Sequence, residues 1–288
     1  MNTYAMNESR NPFLIKTLQI FSLLTFLVTL FVNWTAVALP LNGKSTQQLS
    51  DQYPNLFTPA GLTFSIWGVI YALLMGYTIF QVRGVFSRRE SAYVERVVKS
   101  LGSWFIFSNL LNACWIIAWH YEWVGISVII MLALLNTQLL LLWKAYEVSS
   151  VDTTWGERFV VRIPFGIYAG WISIATIANI TAFLVKIGWN QWGLSAEFWA
   201  IAMIVVGTIL TQAVLFTRRS VAYGLVVVWA IMGIVIKRYQ APEPAMDVVY
   251  AAEICLLVLA ITIILVAFTS VFIPVHHRPA LRWTQPKV

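Results

Sequence analysis

Eight stretches of this chain are each long and apolar enough to cross a bilayer as a helix, and no other feature constrains the fold as strongly. They run from 14 to 38, 60 to 82, 101 to 121, 124 to 143, 163 to 185, 196 to 217, 220 to 236 and 248 to 273. A helix rises ~1.5 Å per residue and the hydrocarbon core is ~30 Å thick, so about 20 apolar residues suffice for a span. Only 11% of the residues are charged and mean hydropathy is +0.76. A soluble domain carries about a quarter charged residues. Ala36, Val37 and Ala38 look like a signal-peptidase site, but the apolar run before them exceeds a signal h-region, so it is read as span 1. The fold class is all-α, a polytopic membrane helix bundle.

Orientation follows from Lys and Arg, which are retained on the cytoplasmic side. With the N-terminus inside, only Lys44, Lys186, Lys237 and Arg238 of the 19 basic residues fall in outside loops. An even number of spans then leaves both termini cytoplasmic, in a bacterial cytoplasmic membrane. Lys237 and Arg238, together in the last outside loop, are the weak point of this assignment. The asymmetry accounts for the net charge of +7, so the basic rim points to anionic lipid headgroups and not to nucleic acid.

The loop at 39 to 59 is the longest outside connection and holds Pro40, Pro54, Pro59, Gly43, Tyr53 and Phe57. Loops beyond about 12 to 15 residues are functional or disordered, and this composition favours a folded lid. Residues 83 to 100 form a charged inside loop, in which Ala92, Val94, Val97 and Val98 mark a short amphipathic helix on the membrane surface. Spans 3 and 4 meet around Trp123, and spans 6 and 7 at Arg218, Arg219 and Ser220, so each pair is an antiparallel hairpin. Pro164 is placed in the first turn of span 5, and Gly166 and Gly170 form a small-xxx-small pair. Cys114 and Cys255 both lie in spans, and no disulfide is expected. No internal repeat of the kind that builds many secondary transporters is present.

Three spans carry aromatic stripes. In span 3, Trp104, Ser108, Asn112, Trp115 and Trp119 share roughly an 80° arc. Span 5 presents Tyr168, Trp171, Ala175 and Asn179, with Ser173 and Thr176 at the edges, and span 2 presents Phe64, Trp67, Tyr71 and Met75. Trp34, Trp123, Trp143, Trp189, Trp192 and Trp199 sit near span ends, as interfacial anchors do. Asn112 and Asn179 need partners in hydrocarbon, so they face protein or a cavity. The stripes alone leave ligand binding and helix packing equally open.

These residues resemble the TspO, or tryptophan-rich sensory protein, family, related to the mitochondrial translocator protein (peripheral benzodiazepine receptor). Leu111-Asn112-Ala113-Cys114-Trp115 follows the family's Leu-Asn-x-x-Trp. Trp171, Ser173, Thr176 and Asn179 are spaced like its Trp-x-Ser/Ala-x-x-Thr-x-x-Asn, and Phe64, Trp67, Tyr71, Met75 and Gly76 are similar to its aromatic run. The family's loop motif Trp-x-Pro-Pro-x-Trp is replaced by Phe57-Thr58-Pro59-Ala60-Gly61-Leu62. The resemblance implies a five-helix core over 1–190, with 191–288 as a three-helix extension and basic tail. It also implies a pocket beneath the first loop, bounded mainly by spans 1, 2 and 5. Trp67, Tyr71, Trp171, Ala175 and Asn179 would line it, Thr176 and Ser173 would help orient a ligand, and Asn112 and Trp115 would form its wall or its helix packing. Members bind porphyrins and haem, and some bind sterols or benzodiazepine-type drugs; members often dimerise, so a homodimer is expected.

The other polar residues add little chemistry. Glu253 lies about two turns into span 8, where a carboxylate is a functional candidate by default, while Asp247 and Glu197 are interfacial. His120 and Glu122 at the span 3–4 turn are too few for a metal, and His276 and His277 read as a solvated basic tail. No nucleophile with a base and an orienting group is present, so no enzyme and no required cofactor is expected. The leading expectation is a receptor or sensor for a planar apolar molecule such as a tetrapyrrole. A carrier with Glu253 on its path and a membrane scaffold are the alternatives.

Overall fold

The computed structural model describes residues 12–39, 41–83, 85, 91–149 and 153–272. Its helices are α1 (Pro12–Ala38), α2 (Thr46–Asp51), α3 (Ile66–Val82), α4 (Ala92–His120), α5 (Val124–Val148), α6 (Trp155–Lys186), α7 (Ala196–Arg218), α8 (Val221–Tyr239) and α9 (Met246–Phe272). All but the short α2 belong to helices long and apolar enough to span a membrane, giving eight spans and no strand among the described residues. Phe21, Leu24, Val28 and Phe31 on α1, and Ile254, Leu257, Ile261 and Ile264 on α9, are exposed. Apolar faces of that extent are stable only against lipid.

Five spans close a ring in which each helix packs on two neighbours: α1 on α4, α4 on α5, α5 on α6, α6 on α3, and α3 back on α1. Several polar groups inside it are paired between helices. Gln19 Nε2 donates to the carbonyl of Gln81 at 2.8 Å, and Thr29 Oγ1 to that of Asn109 at 2.9 Å. The other three spans form a layer on one side, where α8 packs on α6 and α9 covers α7 and α8. Gly166 and Gly170 make that joint. A Cβ added at Gly170 would lie 2.8 Å from the Tyr223 carbonyl oxygen, and one at Gly166 would lie 3.1 Å from the Ala222 Cβ.

Two helices start earlier than the apolar runs imply. Residues 92–98 do not form a surface helix: they are the opening turns of α4, capped by Ser91, with Val94, Val97 and Val98 buried. Pro164 is not in a first turn, because the capping box of Thr154 and Glu157 starts α6 nine residues before it. Pro164 therefore sits inside the helix, where it has no N–H for the carbonyl four residues back. His276 and His277 lie outside the described residues.

The described part of the first loop is folded. The capping box of Ser45 and Gln48 begins α2, and Asn55 Oδ1 accepts the backbone N–H groups of Phe57 and Thr58 at 2.9 and 2.8 Å. Both ends are tied down. His120, fully buried, places Nδ1 3.1 Å from the Leu41 carbonyl and Nε2 3.0 Å from Thr46 Oγ1. At the other end the 3-10 turn Gly61–Ser65 rests on α8: Ala60 N–H donates to the Gly233 carbonyl at 2.9 Å and Trp229 Nε1 to the Thr63 carbonyl at 3.1 Å. Lys237 closes the same side by pairing with Asp51 at 2.7 Å. The loop thus bridges the five-helix ring and the added layer.

Candidate functional site

Beneath that loop the inward faces of α3, α4 and α6 meet in one aromatic assembly, because each helix places its large rings a turn apart on the same side. Trp67 is its centre. It stacks on Tyr71 at 5.6 Å and on Trp115 at 6.0 Å, and meets Tyr168 and Trp171 edge-on at 6.0 and 6.1 Å. Trp115 stacks in turn on Trp119 at 6.1 Å, and Tyr53 of the loop approaches Trp119 at 6.1 Å. Phe64 meets Trp171 edge-on at 5.8 Å. Such pairs add about 0.5–1.5 kcal/mol each beyond the area they bury. Burial, with the Glu122 charge as a lesser cause, raises the Tyr53 hydroxyl above its ordinary pKa.

A cavity of about 40 Å³ lies within the assembly. Trp67, Trp115, Trp171, Ala175 and Asn179 line it, joined by Phe64, Trp119, Ile174 and Ala178. Thr46, Ser50 and Pro59 form the roof. No α1 side chain reaches it, so α4 takes the place in the wall that the resemblance gave to span 1. Asn179 is fixed from two sides: Oδ1 accepts from Trp115 Nε1 at 3.0 Å, and Nδ2 donates to Ser127 Oγ on α5 at 2.9 Å. Trp171 differs, since its buried Nε1 has no hydrogen-bond partner among the described residues. An unmet buried donor costs about 1–3 kcal/mol, which an acceptor on a ligand would recover.

The remaining sequence candidates lie around the cavity and not in its wall. Tyr71 backs Trp67 and donates to Asn112 Oδ1 at 3.3 Å. Asn112 is fully buried; it also accepts from Asn33 Nδ2 at 2.8 Å and donates to the Tyr168 hydroxyl at 2.7 Å, linking α1, α3, α4 and α6. Ser173 faces the added layer, where its Oγ accepts from the Tyr223 hydroxyl at 2.6 Å. Thr176 returns its hydroxyl to the Ile172 carbonyl at 2.7 Å. Met75 is exposed, since the step of four from Tyr71 carries it past the inward face.

Asn33, Ser127, Thr46 and Ser50 were not singled out in the sequence, whereas Pro59 was named in the first loop. Asn33 sits near a span end, and its partner is 79 residues away. Among the tryptophans at span ends, Trp34, Trp123, Trp143 and Trp192 are exposed as anchors should be. Trp189 and Trp199 instead pack together at 4.9 Å. Cys114 and Cys255 are free thiols, and no group of three or more metal-ligating side chains occurs among the described residues.

No curated protein and no solved structure matches the chain. The profile of the family described as TSPO-like protein matches residues 19–265, from within α1 to within α9. The match takes in the added layer as well as the ring. With the aromatic assembly built on the same three motifs, and with a profile spanning most of its length, this chain belongs to the TSPO-like family of integral membrane proteins.

Proposed function

We propose that the protein is a non-enzymatic membrane receptor or sensor for a flat, largely apolar ligand of the tetrapyrrole type, held among the rings beneath the first loop. The observation that carries this reading is the run of stacked rings from Tyr71 through Trp67 and Trp115 to Trp119, beside a cavity that Trp171, with its unpartnered Nε1, also lines. Planar apolar molecules bind such surfaces by buried area, and a few polar groups fix their orientation. A cavity of about 40 Å³ holds little more than a water molecule, so the ligand is admitted by movement of the roof residues Thr46, Ser50 and Pro59. Orientation with both termini cytoplasmic places this loop outside and gives the ligand access from that side.

The test is quenching of intrinsic Trp fluorescence by protoporphyrin in detergent. Saturable quenching is expected for wild type, with affinity reduced at least about tenfold in Trp171→Ala and in Asn179→Ala. Trp171→Phe, which keeps most of the ring and loses the N–H, should fall between. Wild type without saturable quenching, or two alanine variants that bind as well as wild type, would overturn the reading. A carrier with Glu253 on its path gains nothing from the geometry. That carboxylate is on the exposed face of α9 and accepts from the Tyr239 hydroxyl at 3.0 Å.

A further inference from the structure

Lys237 and Arg238 were the two cations that fitted the charge asymmetry least. Lys237 is accounted for by its pairing with Asp51 in the loop at 2.7 Å. Arg238 is not. Its side chain is 8% exposed, its Nε is buried without a hydrogen-bond partner, and it makes no ion pair with any described residue. Taking a guanidinium with no anionic partner partly out of water is costly, and its Nη groups, which are not fully buried, remain open to an anion.

Arg238 lines a part-open cleft of about 420 Å³ at the loop end of the bundle, with Lys237 and Asp51 beside it. This cleft shares Pro54, Asn55, Leu56 and Ala196 with a second cavity of about 200 Å³, so the two adjoin. The second cavity is walled by Leu184 of α6, Met203 of α7, and the Trp189 and Trp199 pair. Its surface is mostly apolar, whereas the Arg238 side is charged. With Asp51 held by Lys237, the three charged groups leave one net positive charge facing the head of the cleft.

We propose that this cleft binds an anionic amphiphile, a fatty acid or an anionic phospholipid. Its carboxylate or phosphate would meet the Arg238 guanidinium, and an alkyl chain would lie along Leu184, Met203 and Trp199. A charge-assisted, bidentate contact is what a guanidinium makes with either head group, and the adjoining apolar cavity selects for a chain over a free anion. Apart from Ser50, the site shares no lining residue with the aromatic pocket. It depends on α7 and α8, which the five-helix ring lacks.

The experiment is equilibrium binding of radiolabelled oleate to the full-length protein in a non-ionic detergent, with three competitors: a short-chain phosphatidylglycerol, a short-chain phosphatidylcholine and inorganic phosphate. Oleate should bind saturably, and Arg238→Gln should weaken it at least about tenfold, while Arg238→Lys, which keeps the charge and loses the bidentate fork, should fall between. Ala200→Trp, which fills the apolar part and leaves Arg238 in place, should weaken it comparably. Thermal midpoint and size-exclusion profile identify any variant that fails to fold, and the Lys and Trp variants then carry the test. Displacement by phosphatidylglycerol assigns the site to lipid as well as fatty acid, and its failure to displace assigns the site to fatty acids. Equal displacement by phosphatidylcholine, displacement by inorganic phosphate alone, or undiminished binding by Arg238→Gln would overturn the proposal.

Discussion

Asn112 shows how much one side chain carries in this bundle. Its amide joins Asn33, Tyr71 and Tyr168 from three other helices, so its loss takes a partner from three polar groups at once, although Asn33 keeps its bond to the Thr29 carbonyl. A buried polar group left unpaired costs about 1–3 kcal/mol, although single interhelical bonds in membranes average only about 0.6 kcal/mol. Asn112→Ala should therefore lower stability by about 1–2 kcal/mol in detergent-denaturation titrations. Asn136→Ala, which removes only an exposed bond to the Leu132 carbonyl of its own helix, should change it by less than about 0.5 kcal/mol. Equal losses would mean that the network is not what holds the helices together. That both asparagines of the stripes are buried was legible, because each shares a face with large aromatic residues and an amide in hydrocarbon seeks a partner on another helix. Their partners were not, because nothing local in a sequence marks a contact 56 or 79 residues away. Ser173 shows the reverse: its spacing matched a pocket motif, and its hydroxyl faces Tyr223.

At the level of elements, the number of spans could be read from the sequence because bilayer thickness sets a minimum apolar length. Where helices begin could not. α4 has 29 residues and α6 has 32, so they extend about 44 and 48 Å, well beyond a hydrocarbon core of about 30 Å. Their opening turns carry Arg96 and Lys99, and Arg158 and Arg162, which dilute the apolar signal while capping residues keep the backbone helical. The glycine pair of α6 was legible as a close-approach motif, but its partner α8 was not. Gly170→Val would press a branched side chain on the Tyr223 backbone and separate the added layer from the ring. A loss of about 2 kcal/mol or more is expected, read as a lowered thermal midpoint of the purified protein. Gly76→Val on α3 has open space around its Cβ position and should be nearly silent.

On the scale of the whole molecule, the first loop belongs to two layers at once. Its start is held by His120 of the ring, and its end by Trp229, Gly233 and Lys237 of the added layer. The Lys237–Asp51 pair is partly exposed, so Lys237→Ala should cost less than about 1 kcal/mol and leave ligand affinity within about threefold. Pro59 of the roof and Thr63 both lie against Gly233 of α8, so the roof movement proposed to admit a ligand requires this end of the loop to leave α8. A Cβ at position 233 would lie 3.0 Å from the Thr63 Cβ, so Thr63→Cys with Gly233→Cys can be bridged after a small shift. The most direct measurement is a protoporphyrin titration of that double variant, with Cys114 and Cys255 replaced by Ala, before and after reduction. Saturable quenching that is present in the reduced protein and lost in the oxidised one is the predicted result. Equal binding in both states, or none in either, would contradict it.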